Sequence, residues 1–113
     1  EPEPEPAGPV TLAAAPRRTS AGSTVTLTLS NGSRRAVGYN LCTSALQTRA
    51  GRPVETDRVC TMELRTLNPG QRATYGYELP GSLPDGRYRF STGLERMPDG
   101  GRITVTSNNI VVR

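Results

Sequence analysis

The stretch "STVTLTLS", residues 23–30, decides the fold class of this chain because its side chains alternate with a period of two. Val25, Leu27 and Leu29 fall on one side, and threonines fall between them on the other. A period of two sends successive side chains to opposite faces of a β-strand, whereas a helix requires a period of 3.6. The stretch therefore predicts a strand with one buried face and one face in water.

Comparable alternation recurs along the chain between turn signals rich in Gly, Pro and Asn, and no segment shows a sustained helical stripe. The turn signals are "NGS" (31–33), "NPGQ" (68–71) and "PDGG" (98–101). The alternating stretches are residues 10–15, 36–42, 58–64, 72–79, 87–93, 102–107 and 109–113. This rhythm predicts an all-β fold over residues 9–113, an immunoglobulin-like antiparallel β-sandwich of about seven strands.

The stretch "LPDGRYRF" (83–90) joins a turn to a strand whose two faces differ. Tyr88 and Phe90 share one face, and Arg87 and Arg89 share the other. Since the chain has one Phe, four Tyr and no Trp, we expect Tyr88 and Phe90 to supply aromatic bulk to the core. The two arginines are then expected on the outer face.

Residues 1–8, "EPEPEPAG", differ in composition from the rest of the chain. Alternating prolines favour polyproline II, and repulsion between the glutamates keeps such a segment extended. We expect these residues to be a spacer, disordered or in polyproline II, that precedes the sandwich domain.

Cys42 and Cys60 are the two cysteines of the chain. A disulfide between them would enclose a loop of about 18 residues and imply an oxidising compartment. Cys60 is in phase with the apolar residues of its stretch, but Cys42 is out of phase with Val37, Tyr39 and Leu41. A bridge therefore requires a bulge near Cys42 or a strand that ends before it, and two buried reduced thiols are the alternative.

The composition excludes several kinds of catalytic site. Without His there is no histidine base, and two cysteines cannot complete a four-ligand zinc site. Met62 and Met97 are soft ligands that a copper site could combine with the two cysteines, but the phase of Met62 on the 58–64 stretch predicts packing in the core. The scattered carboxylates have arginines nearby in sequence, which favours solvated ion pairs. We therefore expect no enzyme activity, no cofactor and no metal.

The net charge is +4, and all fourteen basic residues are arginines. This charge permits binding to anionic partners, but the complete absence of Lys favours a general preference for Arg over Lys as the explanation of the composition. The polar stretch of residues 43–57 is the longest region without strong periodicity, and loops of this kind commonly carry binding sites. Arg49, Arg52 and Arg58, in and beside it, are therefore the candidate binding residues. Nucleic acid is not an expected partner, because the aromatic residues fall on core faces.

Four features occur together in this chain: "VTLTLSNGS", "NPGQRATYGYEL", "LPDGRYRF" and an apolar last strand. In this combination, over residues 23–113, the chain resembles bacterial immunoglobulin-like domains of cell-envelope and secreted proteins. It is also similar to the bacterial intracellular proteinase inhibitor family, although no inhibitory loop can be transferred to particular residues. The resemblance implies a sandwich fold, and folds of this kind serve many unrelated functions.

The sequence thus predicts a non-catalytic, extracytoplasmic binding or accessory module whose partner is a protein or a cell-envelope polymer. One alternative is a protease inhibitor that presents the 43–57 loop to an active site. Another is a module that binds an acidic polymer through its arginines. The sequence contains no apolar run of the roughly 18 to 20 residues that a transmembrane helix needs.

Overall fold

The computed structural model describes residues 10–56, 59–97 and 100–113, so the predicted spacer of residues 1–8 lies outside the described residues. The described chain is almost entirely strand and connecting loop, with one short 3-10 turn at Leu41–Thr43. The strands are β1 (Val10–Ala15), β2 (Arg18–Thr19), β3 (Thr24–Asn31), β4 (Val37–Tyr39), β5 (Ala45–Thr48), β6 (Arg65–Leu67), β7 (Arg72–Glu78), β8 (Gly86–Arg96), β9 (Arg102–Thr106) and β10 (Ile110–Val112).

The strands form two sheets, which confirms the predicted all-β sandwich. The smaller sheet has the order β1-β3-β7, and both of its pairings are antiparallel. The larger sheet has the order β2-β10-β8-β4-β6, with β5 and β9 also paired to β8. On one side of β8 lie β9 and β10, and on the other lie β4 and β5. Strands β9 and β10 share one position beside β8, and β4 and β5 share the other. Since β1 and β2 also follow each other along one edge, the segments occupy about seven strand positions, as expected.

The first strand position is divided between the two sheets. Strand β1 runs antiparallel to β3 in the smaller sheet, and β2 runs parallel to β10 in the larger one. The Ala15–Pro16 peptide bond between β1 and β2 is cis. The change of sheet links the two layers covalently at one edge of the sandwich.

The core lies between the sheets and is filled by the alternating positions of the strands. In β3 the residues Val25, Leu27 and Leu29 are fully buried, as their phase predicts. The other buried apolar residues are Leu12, Ala14, Val37, Leu41, Leu46, Leu67, Tyr77, Leu79, Leu83, Tyr88, Phe90, Leu94, Ile110 and Val112.

The "LPDGRYRF" stretch has the inward face that its pattern predicts. Phe90 has no exposed surface, and its ring meets that of Tyr77 edge to face with 4.8 Å between centroids. Tyr88 is 6% exposed, and its hydroxyl donates a hydrogen bond to the Pro84 carbonyl oxygen at 2.7 Å. A buried tyrosine requires such a partner for its hydroxyl, so the turn and the strand stabilise each other. The strand itself, β8, is longer than predicted and continues to Arg96.

The "NPGQ" signal forms the predicted turn between β6 and β7. Gly70 has a φ of +82°, and the Gln71 N–H donates to the Asn68 carbonyl oxygen at 3.0 Å. This is the position at which a Pro-Gly turn requires the left-handed region, which glycine enters without steric cost.

The "NGS" signal forms a connection between sheets and not a hairpin, because β3 and β4 belong to different sheets. Asn31 is buried at the end of β3, and its side-chain amide donates to the carbonyl oxygens of Leu67 (2.9 Å) and Arg35 (2.8 Å). Its side-chain oxygen accepts from the N–H and the hydroxyl of Ser33. The side chain thus ties the chain to β6 as it crosses from one sheet to the other.

Candidate functional site

The predicted disulfide is present between Cys42 and Cys60, with 5.8 Å between their Cα atoms. Strand β4 ends at Tyr39, and Cys42 lies in the 3-10 turn that follows. The Asn40 side-chain oxygen accepts from the Cys42 N–H at 3.2 Å and caps this turn. The phase conflict at Cys42 is therefore resolved in one of the two expected ways, because the strand ends before the cysteine.

The 43–57 region is more regular than its sequence suggests. It contains β5, which pairs with β8, and a return segment in which the Val54 N–H donates to the Leu46 carbonyl oxygen at 2.8 Å. Between these, the Thr48 N–H donates to the Arg52 carbonyl oxygen at 2.8 Å and closes a tight hairpin. Residues 45–54 therefore form a hydrogen-bonded hairpin that joins the larger sheet, and inhibition through the 43–57 region stays a prediction.

The prediction of a strand was wrong for residues 59–64, the described part of the 58–64 stretch: they contain no strand, and Met62 is not in the core. Residues 59–64 belong to no strand and no turn, and β6 begins only at Arg65. Val59 is 96% exposed, Met62 90% and Leu64 51%. The physical reason is the length of the neighbouring strand: Tyr39, the last residue of β4, pairs with Arg65, so no ladder extends to the residues before it.

We call residues 59–64 the ridge segment, and Val59, Met62 and Leu64 the apolar ridge. Two successive residues of the segment, Cys60 and Thr61, are bonded to the rest of the domain. Cys60 is bonded to Cys42, and the Asn40 side-chain amide donates to the Thr61 carbonyl oxygen at 2.7 Å. Asn40 thus supports both sides of the disulfide, since its oxygen caps the turn that contains Cys42.

Leu64 anchors the other end of the ridge segment against β4. A Cβ atom built on Gly38 would lie 2.9 Å from Leu64 Cδ2 and 3.0 Å from Met97 Cε. A larger residue at position 38 would require the Leu64 and Met97 side chains to shift, so the glycine leaves the space in which they lie on the strand. The ridge segment is therefore fixed at Cys60, Thr61 and Leu64, while Met62 between them faces solvent.

Two of the three candidate arginines lie on the same hairpin. Arg49 and Arg52 are exposed on the 48–52 hairpin, and Arg58 lies outside the described residues. The Arg49 N–H donates to the Arg87 carbonyl oxygen at 3.0 Å, which extends the β5–β8 ladder by one residue. Arg49 is therefore the cross-strand neighbour of Arg87, one of the arginines of "LPDGRYRF".

Arg89 joins the same surface from the next outward position of β8. Its Nε donates to the Gln47 side-chain oxygen at 3.1 Å, and its Nη2 would lie 3.0 Å from a Cβ built on Gly51. Gly51 has a φ of +89°, so the hairpin requires glycine there both for its backbone and for the space that Arg89 occupies. We call Arg49, Arg52, Arg87 and Arg89 the arginine cluster.

Within the described part of the chain, no three His, Cys, Asp or Glu side chains are grouped so that they could hold a metal ion. No described helix has the length and apolar character needed to cross a bilayer. The expected absence of catalysis, cofactors and metals stays a prediction.

Fold and site together define the chain as a β-sandwich that presents a disulfide-anchored apolar segment. No family model matches the sequence, and no curated protein matches it significantly. A solved X-ray structure, described as Northeast Structural Genomics Consortium target SoR45, superposes with a TM-score of 0.50. The two chains are 16% identical, and the match covers 91% of this chain and 82% of that one. At this identity the likeness concerns the fold alone.

Proposed function

We propose that this protein is a non-catalytic, extracytoplasmic binding module that binds another protein through its apolar ridge. The observation that carries the proposal is the exposure of Val59, Met62 and Leu64 on one anchored segment. Among the described residues, seventeen other apolar side chains are buried in the core. Exposed apolar side chains concentrated within one short segment are characteristic of interaction sites, because their burial in a partner removes apolar surface from water.

The energetics of such a site are favourable. Transfer of Val59 and Met62 from water into a partner would contribute about 1.5 to 3 kcal/mol for each side chain that becomes fully buried. The disulfide and the Asn40–Thr61 hydrogen bond already restrict the backbone, so less conformational entropy remains to be lost on association.

The proposed location follows from the chemistry of the same site. A disulfide persists in an oxidising environment, such as the bacterial periplasm or the cell exterior, and is rare in the cytosol. The bridge holds the ridge segment, so the binding surface depends on that environment.

The proposal is tested by photo-crosslinking with a benzophenone amino acid at position 62 and, as a control, at the exposed Thr104 of β9. We expect the position-62 probe to form a saturable crosslink to a discrete secreted or envelope protein, and the position-104 probe to form none. Excess wild-type protein should compete with the crosslink, whereas the Val59→Ser/Met62→Ser variant should not. Equal competition by that variant would exclude the ridge as the binding surface.

The arginine cluster supports a second candidate, binding of an acidic polymer. Arg49 and Arg87 are neighbours across the ladder, and Arg89 lies beside them, so several guanidinium groups face one side of the larger sheet. Guanidinium groups pair with carboxylate, sulfate or phosphate in a forked geometry, and the attraction is screened by salt.

Immobilised heparin tests this candidate with matched variants. The Arg49→Ser/Arg87→Ser variant should elute at lower salt than wild type, while Val59→Ser/Met62→Ser should elute with wild type. If two other exposed arginines, Arg72→Ser/Arg102→Ser, lower the elution salt equally, the retention reflects net charge and the cluster is not a site.

A further inference from the structure

We infer that a cleft at one end of the sandwich binds a small amphipathic anion, an acyl chain that ends in a carboxylate. The cleft lies where β1 and β4 begin and β8 ends, and its volume is about 620 Å³. Its lining combines apolar side chains of both sheets with three arginines, Arg34, Arg35 and Arg96. The site contains no residue of the apolar ridge, so the inference is independent of the protein-binding function proposed above.

The apolar wall of the cleft comes from both layers of the sandwich. Val10, the first residue of β1, is in phase with the buried Leu12 and Ala14, so it belongs to the inner face of the smaller sheet. Ile103 and Val105 of β9 face it from the larger sheet, and all three lining side chains pack against the core. An apolar ligand in the cleft would therefore extend the core, and each methylene group that it buries would strengthen binding.

Arg96 carries the inference, because its register places a positive charge on the inner face of a sheet. The inward positions of β8 are every second residue, and they run through the buried Phe90 and Leu94 to Arg96. Arg96 also pairs across the ladder with Val37, which is 1% exposed, and residues directly opposite in a ladder share a face. A half-buried charge beside apolar side chains loses hydration, and an anionic ligand would offset that cost.

The backbone at Arg96 is fixed, whereas its side chain is available to a ligand. The Arg96 N–H donates to the Gly101 carbonyl oxygen at 2.6 Å, and the Arg96 carbonyl oxygen accepts from the Gly100 N–H at 2.7 Å. Among the described residues, no hydrogen bond or ion pair holds the guanidinium group. The guanidinium can therefore donate two parallel hydrogen bonds to a carboxylate at the mouth of the cleft.

The connection from β3 to β4 adds positive charge to the rim of the cleft. Arg34 and Arg35 on this connection are exposed and line the cleft. Ser33 orders the connection, because its hydroxyl donates to the Asn31 side-chain oxygen at 2.6 Å and accepts from the Arg35 N–H at 3.3 Å. Positive charge around an apolar cleft favours an anionic head on an apolar body. Since Arg96 alone of the three arginines lies on the inner face of a sheet, a single planar carboxylate fits as that head.

The size of the cleft suits a ligand of this kind. Its volume of about 620 Å³ lies within the range of roughly 300 to 1,000 Å³ that small-molecule sites occupy. Such sites are mostly apolar and contain a few polar groups that fix the orientation of the ligand. Here the apolar wall would take the acyl chain, and Arg96 would orient the carboxylate toward the solvent end.

Isothermal titration calorimetry with dodecanoate, kept below its critical micelle concentration, tests the inference. Wild-type protein should bind dodecanoate saturably with a Kd of roughly 10 μM. Arg96→Ser should weaken binding about tenfold or more, because a charge-assisted hydrogen-bonded pair is lost. The matched control is Arg102→Ser, which removes an equal charge from an exposed position of β9 outside the cleft, and it should bind as wild type does. Circular dichroism should show that both variants keep the wild-type fold.

A series of ligands separates the two parts of the site. Affinity should rise about fourfold for each methylene group added between octanoate and dodecanoate, because each buries further apolar surface. The neutral dodecanol should bind about tenfold more weakly than dodecanoate, and dodecyltrimethylammonium should not compete with it. Equal affinity for the carboxylate and the alcohol would overturn the inference.

Amide chemical shifts measured by NMR during the titration locate the site. The changes should be concentrated at Val10, Ile103 and Val105, and Met62 should be unaffected. Absence of saturable binding, wild-type affinity in Arg96→Ser, or shift changes confined to the ridge segment would overturn the inference and leave the proposed protein-binding function standing. Binding to phosphatidylglycerol vesicles without binding of monomeric dodecanoate would also overturn it, because the protein would then recognise a membrane surface.

Discussion

Phe90→Ala is expected to lower the free energy of unfolding by about 3 to 5 kcal/mol, the usual cost of truncating a fully buried aromatic residue. Phe90 is at the centre of the only strand in the described residues that pairs with four others, since β8 contacts β4, β5, β9 and β10. Its ring packs against Tyr77 of the opposite sheet, so the truncation opens a cavity between the two layers. Chemical denaturation monitored by circular dichroism measures the change.

Phe90→Leu is the matched control, because it keeps most of the volume and should cost less than about 1.5 kcal/mol beyond the loss of the aromatic contact. If Phe90→Ala costs less than 1 kcal/mol, the inward face of "LPDGRYRF" is not the face described above. Both variants lose the ring contact with Tyr77, but only Phe90→Ala removes most of the side-chain volume. The difference between their free energies of unfolding therefore measures the cost of the cavity.

Loss of the disulfide is the second large effect. The Cys42→Ser/Cys60→Ser variant is expected to be about 3 kcal/mol less stable than the oxidised protein, because cross-linking a loop of about 18 residues restricts the unfolded chain. The native fold should survive, since Leu41 and Leu46 on either side of the bridge remain buried in the core.

Denaturation with and without reductant gives the comparison. Reductant should destabilise the wild type by a similar amount and leave the serine variant unchanged. A loss below 1 kcal/mol, with the thiols shown to be free, would mean that residues 42–60 are already constrained in the unfolded chain by other contacts.

Much of the sandwich follows from the sequence, because alternation and turn chemistry act locally. Strand β3 and the inward face of β8 match their patterns, and the Pro69–Gly70 turn forms where the residues require it. The disulfide was also predictable, and β4 ends before Cys42, which is one of the two arrangements expected from the phase of that residue. For the strand faces and the turn, the residues that decide the structure are adjacent in sequence, and for the disulfide the chain has only two cysteines to pair.

The candidate site was not predictable in the same way, because it depends on where neighbouring strands end. "RVCTMEL" alternates as a buried strand does, but alternation does not reveal whether a partner strand covers the segment. Here β4 ends at Tyr39, and residues 59–64 therefore lie outside the ladder.

The arginine cluster was likewise not predictable from local sequence patterns. Arg49 and Arg87 are far apart in sequence, and only the β5–β8 register makes them neighbours. Sequence reasoning treated the hairpin arginines and those of "LPDGRYRF" as separate groups, because β5 was hidden within an aperiodic stretch. Pairing between distant strands is a tertiary property that no local pattern specifies.

The central claim is that the ridge segment is exposed and yet ordered, and amide nitrogen relaxation by NMR tests this most directly. In the oxidised protein, residues 60–64 should have order parameters of about 0.8, close to the value of about 0.85 for rigid backbone. On reduction of the Cys42–Cys60 bond they should fall, while those of β3 stay unchanged. Order parameters below about 0.6 in the oxidised protein would mean a flexible loop and would contradict the account.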